Sequence, residues 1–260
     1  MSRDERWSTL LARYPVAAGL VVTSLLVLLW QMSWSLGWAR PQSSSPPSGI
    51  VAEIADLARN GALLQQGART IGVTVASWTF AVSIGLCLGL LVGMSRTVRR
   101  FTFSSIEFMR CLPGITFVPI ILLIVGFSVK GELILGTIGS IWPVLIFTIA
   151  GVRSVPHSYW EMARSLQMSR RDTLVKVVAP ASAASAFVGM RISLGVSMLL
   201  VIIMEMVGTS AGLGGGLVFE KGAVNVEGMF AYLFVIGGSA VALNMALQAA
   251  GKHVPWLLRG

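Results

Sequence analysis

Charge is what this sequence has least of: Asp, Glu, Lys and Arg make up 12% of 260 residues, against 55% apolar residues. A water-soluble surface needs far more polar cover than that, so a soluble fold is excluded and a bilayer is left as the solvent. Histidine and cysteine are scarce too, two of each. His157 and His253 are far apart and each adjoins a proline-containing turn, and no H-E-x-x-H or Cys/His cluster exists, which excludes a metal centre. Cys87 and Cys111 lie in or beside apolar runs and read as small core residues rather than a disulfide. The phosphate loop G-x-x-x-x-G-K-[ST] is missing: Gly212-Leu-Gly-Gly-Gly-Leu-Val lacks the lysine and hydroxyl that hold nucleotide phosphates and magnesium. No converging nucleophile or acid–base residues suggest an enzyme, and no small-residue cleavage site follows the first apolar run, so that run reads as a retained helix.

Long apolar runs are present instead, near or above the roughly 20 residues that cross a hydrocarbon core. The first covers 15–36 and ends in Trp30, Trp34 and Trp38, rings suited to an interface. A turn-rich link, Pro41-Gln-Ser-Ser-Ser-Pro-Pro-Ser48, precedes a short surface helix from Ile50 to Leu64 patterned by Ile54, Leu57 and Ala58. Further spans are expected at 70–94, 105–127, 133–151, 181–207 and 229–250. Gly85 and Gly89, spaced i, i+4, suit close helix packing in the second. Pro113-Gly114 and Pro119 interrupt the third, Pro143 lies within the fourth, and a glycine-rich stretch from Gly208 to Gly228 precedes the last. The expected fold is an all-α polytopic transmembrane bundle of about six spans. It divides into a cytoplasmic segment 1–14, a first helix 15–36, an external linker 37–69, a five-span core 70–250 and a cytoplasmic end 251–260.

The net charge of +9 falls mostly in short segments between spans, which makes it a topology signal rather than a sign of nucleic-acid binding. With the N-terminus inside, Arg3, Arg6, Arg13, Arg96, Arg99, Arg100, Arg153, Arg164, Arg170, Arg171, Lys176, Lys252 and Arg259 are cytoplasmic. Only Arg40, Arg59, Arg69, Lys130 and Lys221 are external, so both termini are expected in the cytoplasm. Arg110 and Arg191 lie within spans.

The largest polar block, 153–180, is therefore where a soluble partner could touch the chain. Ser158 and Glu161 have capping-box spacing, and Ser169 with Asp172 has a looser version, which gives two short helices joined near Gln167. Trp160, Ala163, Arg164 and Gln167 share one face of the first helix, with Ala163 where another surface could come close. Leu174, Val177 and Val178 form an apolar stripe suited to packing on the bundle.

At these residues the sequence resembles a family. Glu161-Met-Ala163-Arg-Ser-Leu166-Gln-Met-Ser169, then Val177-Val-Ala-Pro180 and Gly189-Met-Arg-Ile-Ser-Leu-Gly195, are similar to the EAA loop of binding-protein-dependent ABC importer permeases of type I. The match is nearest to the nitrate, sulfonate and taurine type. Gly93-Met-Ser-Arg96, Arg110-Cys-Leu-Pro113, Ala150-Gly-Val-Arg-Ser-Val155, Glu205-Met-Val-Gly208 and Ala211-Gly-Leu-Gly214 extend the resemblance over about 66–250. Two departures stand out: the pattern has alanine at Met162 and glycine at Gln167, where a turn needs unusual backbone angles, so a differently built joint is expected. The resemblance implies a permease of the bacterial inner membrane, paired with a second copy in a homodimer. Its loop residues Ser158, Trp160, Glu161, Ala163, Arg164, Leu166, Gln167, Ser169, Asp172 and Pro180 would dock a cytoplasmic ATPase dimer that holds ATP and magnesium. An external substrate-binding protein would deliver the solute.

Ionisable groups within spans are functional candidates because burying charge in hydrocarbon is costly. Glu107 and Arg110 are spaced to form an ion pair beside Pro113, and Arg191 and Glu205 lie near opposite ends of the fifth span. An arginine here could meet an anionic solute such as nitrate, a sulfonate or taurine. Glu220, Lys221 and Glu227 would face the binding protein. Importers of bicarbonate, a thiamine precursor or riboflavin share the general pattern, and a stand-alone channel or secondary transporter is the alternative class, though no inverted repeat is evident.

Overall fold

The computed structural model describes residues 15–38, 44–208 and 211–252. Segments 1–14 and 253–260, with Arg3, Arg6, Arg13, His253 and Arg259, lie outside the described residues, as do Arg40 with the rest of 39–43, and 209–210.

Helix α1 (Pro15–Ser35) is followed by α2 (Pro47–Arg59) and the long α3 (Ala62–Met94). α4 (Arg96–Cys111) leads through a 3₁₀ turn (Gly114–Phe117) into α5 (Val118–Val125), and α6 (Val129–Ser154) follows. Two short helices, α7 (His157–Ser165) and α8 (Arg170–Thr173), precede α9 (Ala179–Gly208), α10 (Gly212–Gly222) and α11 (Val226–Lys252). Among the described residues four helices are long and apolar enough to cross a membrane: α3, α6, the run Arg170–Gly208 and α11. The bent pair around Pro113 makes a fifth, and α1 adds a 21-residue apolar helix at the start.

α3, α6 and α9 form the central bundle, and glycine explains why they pack so closely. Gly85, Gly89 and Gly93 line one face of α3, where a Cβ would fall 2.8, 2.6 and 2.8 Å from the Cβ atoms of Val144, Thr148 and Val152 on α6. Gly151 and Gly189 bring α6 and α9 equally near. Packing of this kind replaces the hydrophobic drive that lipid cannot supply. Hydroxyls reinforce it: Ser193 donates to the Ser140 carbonyl at 2.8 Å, one turn before Pro143, and Ser197 donates to the Thr74 carbonyl at 3.2 Å.

The third expected span is not one straight helix. It starts earlier, at Arg96, and turns by 87° at Leu112–Pro113. Proline pushes the residue before it out of the helical region, and Leu112 accordingly takes φ −72°, ψ 123°. Pro119 breaks nothing, because it sits in the first turn of α5, where a missing N–H has no cost. α4 has no buried residue and leaves Phe101, Phe103 and Phe108 exposed.

Three other expectations change. The glycine-rich stretch, in which no helix was expected, holds one, α10, with Gly212 to Gly216 buried. The surface helix runs from Pro47 to Arg59, with Ile50 and Leu57 buried, and Gly61 at φ +78° turns the chain into α3. Cys87 and Cys111 are free thiols exposed on the chain's surface rather than core residues.

Candidate functional site

The end of the bundle where α3 and α6 finish carries the α7–α8 hairpin. α7 starts after Pro156, whose side chain cannot cap, so Ser158 lies inside the first turn and the expected Ser158–Glu161 box does not form. Glu161 instead pairs with His157 at 3.4 Å on the exposed surface. The second start matches the expectation: the Ser169 hydroxyl accepts from the Asp172 N–H at 3.1 Å and donates to its carboxylate at 2.6 Å, and Lys176 pairs with Asp172 at 2.7 Å. Past α8 the hydrogen bonding widens to a π turn (Leu174–Val178), with the Ala179 N–H donating to the Leu174 carbonyl. Pro180 has no N–H to give the Lys176 carbonyl, which favours this wider pattern.

The joint is not rebuilt around Gln167: the glutamine itself takes the left-handed conformation, φ +49°. The Gln167 N–H donates to the Arg164 carbonyl and the Met168 N–H to the Ala163 carbonyl, both at 2.9 Å, which is the Schellman closure of a helix end. Left-handed backbone costs a non-glycine roughly 1–2 kcal/mol, against about 0.5–1 kcal/mol of extra entropy that glycine loses on folding. Gln167→Gly is therefore expected to raise stability by roughly 0.5–1 kcal/mol in a detergent melting experiment; a lower melting temperature than the parent would contradict this.

Ala163 does not face outward. It is buried within the chain, while Trp160 packs with Leu174 on the Val152, Val155 and Val178 cluster. The outward face of α7 is carried by Tyr159, Met162 and Leu166, exposed at i, i+3 and i+7, and Arg164 and Gln167 are exposed beside it. Three large apolar side chains standing out on one short helix are unusual outside lipid. Of the four residues expected on one face, Arg164 and Gln167 are thus exposed and Ala163 is buried. Val177 and Val178 pack back on the bundle as their stripe suggests.

The candidate path residues separate in space. Arg110 and Pro113 line a pocket of about 590 Å³ with Trp142, Phe147, Ile192 and Val196. Glu107 accepts from the Arg110 guanidinium at 2.7 Å. Arg191 lies apart from that pocket, exposed and donating to the Asn244 side chain at 3.4 Å.

Glu205 belongs to a buried cluster at the end of the bundle opposite α7. Arg69, near the start of α3, donates to Glu132 of α6 at 2.7 Å and to Glu205 of α9 at 3.0 Å. The Thr70 hydroxyl meets Glu205 at 2.8 Å, and the Gly214 N–H donates to the same carboxylate at 3.0 Å. Both carboxylates have side chains with no exposed area. Glycine is required here: a Cβ on Gly212, at φ +83°, would fall 2.0 Å from the Glu205 carboxylate. Arg69 is thus part of the packed bundle and not of an external linker. Arg69 and Glu132 were missed as site residues, although a carboxylate inside a long apolar run always needs a partner.

At the end of the bundle opposite α7, Glu220 is half-buried and bonded to Asn225 at 2.8 Å, which also reaches Glu53 of α2 at 3.3 Å. Lys221 and Glu227 are exposed.

Residues 81–254 match the family described as binding-protein-dependent transport system inner membrane component. A Methanocaldococcus jannaschii protein named as an ABC transporter permease is 31% identical, the match covering 75% of this chain and 74% of that one. A Bacillus subtilis protein named as an aliphatic sulfonates transport permease is 28% identical over 78% of this chain and 73% of its own. The taurine transport system permease of Escherichia coli is 25% identical over 98% and 94%. Among solved structures, the inward facing MetNI methionine ABC transporter superposes with a TM-score of 0.63 at 20% identity, covering 76% of this chain and 96% of that chain.

Proposed function

Because the chain belongs to the family of binding-protein-dependent transport system inner membrane components, we propose that it conducts a small anionic solute across the inner membrane, driven by a separate ATPase docked on α7. The chain is a multi-pass membrane permease of an ABC importer, a transport subunit and not an enzyme. The observation that carries the coupling reading is the exposed stripe of Tyr159, Met162 and Leu166 on a helix closed at its C-terminal end and anchored by Trp160. A rigid helix with a protruding apolar face can take a push and transmit it to α6 and α9, the two spans it connects. ATP and magnesium are then held by the partner, on the cytoplasmic side, with both termini of this chain on that side too.

The C-terminal turns of α4, unburied and with Phe108 exposed beside Arg110, support pairing with a second copy that would cover them and enclose the pocket there. Lys221, Glu227 and the exposed Phe219 and Val224 at the other end offer the surface for an external binding protein. The anionic solute is supported by Arg110 in an otherwise apolar pocket and by relatives named for sulfonates and taurine. A hydrogen bond to a charged group contributes about 1.5–3 kcal/mol, so Arg110→Gln should lower anion uptake roughly tenfold or more with assembly intact. Undiminished uptake by the assembled variant in proteoliposomes would remove Arg110 from the path. The function as a whole is tested by co-purifying the chain with its ATPase and measuring nucleotide-dependent uptake; solute flux by the chain alone would favour a channel instead.

A further inference from the structure

At the same end of the bundle as α7, arginines from two helices converge with no acid among them. Arg96, Arg99 and Arg100 at the start of α4 and Arg153 in the last turn of α6 line a cavity of about 420 Å³ together with Phe103. The ion pairs of the described residues involve Arg59, Arg69, Arg110, His157 and Lys176, and none involves these four. Like charges gathered around one cavity repel, and no acidic side chain among the described residues pairs with them, so the cavity is complementary to a multivalent anion. Guanidinium groups suit phosphate in particular, because their planar fork matches its oxygens two at a time.

The position of the cavity narrows the source of that phosphate. It lies where α3 and α6, of 33 and 26 residues, reach their ends, the level at which hydrocarbon gives way to headgroups. Phe101 and Phe103 project from the same turns of α4 with 82% and 56% of their surface exposed, an apolar flank that a free ion would not use and acyl chains would. We propose that Arg96, Arg99, Arg100 and Arg153 bind the headgroup phosphate of an anionic phospholipid. The site is separate from the outward face of α7 and from the pocket at Arg110, and depends on neither for its geometry.

Native mass spectrometry of the detergent-purified full-length chain, titrated with dioleoyl-phosphatidylglycerol or with dioleoyl-phosphatidylcholine, tests this. Each basic residue near an anionic surface contributes about fivefold in affinity, so Arg99→Gln/Arg100→Gln/Arg153→Gln should weaken phosphatidylglycerol retention about a hundredfold. Arg96 is left in place because it also borders the cavity beneath α7. The single variant Arg153→Gln, expected to lose about fivefold, keeps the test decisive if the triple variant aggregates. Lysine at the same three positions should fall between the parent and the glutamine variant, since the charge survives and the bidentate fork does not, and phosphatidylcholine should not be held. Equal retention of both lipids, or of phosphatidylglycerol by parent and variants, overturns the proposal. Displacement of the lipid by inorganic phosphate would assign the site to a free ion, and variants that bind lipid normally but lose the ATPase would assign it to a protein contact; either result also overturns it.

Discussion

Replacing Arg69 with methionine is expected to cost the folded permease about 3–5 kcal/mol, enough to abolish accumulation in the membrane, because it leaves two buried carboxylates with no counter-charge. Glu132 and Glu205 meet the same guanidinium from α6 and α9, at 2.7 and 3.0 Å. Arg69 thus joins three helices at the end of the bundle opposite α7, and Gly214 and Thr70 bring in α10 and a second point on α3. The effect should come from charge and not from lost volume. Arg69→Met/Glu132→Gln/Glu205→Gln, which leaves no charge behind, should therefore recover a large part of the loss, since neutral amides keep shape and hydrogen-bonding capacity. Melting temperature in detergent and the yield of monodisperse protein measure both steps. A triple variant no more stable than Arg69→Met alone would show that the arginine acts by packing.

Leu166→Arg combined with Met162→Arg should separate the ATPase from the permease while the permease stays folded. Both side chains are exposed, so this chain loses no packing, whereas truncating a central apolar anchor of an interface typically costs 2 kcal/mol or more, about a thirtyfold loss of affinity. Two positive charges in an apolar contact should exceed that. Co-purification and solute-stimulated ATP hydrolysis read the outcome, with unchanged values ruling out the outward face of α7 as the docking surface. Ala163→Leu should behave differently. Ala163 is buried inside the chain, so overpacking should lower the permease's own stability by about 1–3 kcal/mol before any interface is involved.

The spans were legible because apolar run length is a one-dimensional property that the bilayer reads directly, and the ends of α3, α6, α9 and α11 fall within a turn or two of expectation. The exception is the start of α3, set by Gly61. Gly85 and Gly89 were legible as a packing face because their i, i+4 spacing can be seen without knowing the neighbour; α6 is the neighbour. Ser169 was legible as a cap, since a hydroxyl and the third N–H of a helix are local partners. Ser158 failed for an equally local reason: Pro156 had already started the helix. The glycines from 212 to 216 were ambiguous in principle, because the residue that frees a loop also permits a helix to lie against a carboxylate.

By itself the sequence determined that this protein lives in a bilayer, where its long apolar runs lie, and that a polar hairpin separates two of them. Each of these follows from composition or from spacings within a few residues. Only the tertiary structure decided that Arg69, Glu132 and Glu205 share one buried site, that α4 turns away from α5, and that Ala163 faces in while Leu166 faces out. Those outcomes depend on which helix lies beside which, and the Arg69–Glu205 pair joins residues 136 positions apart along the chain.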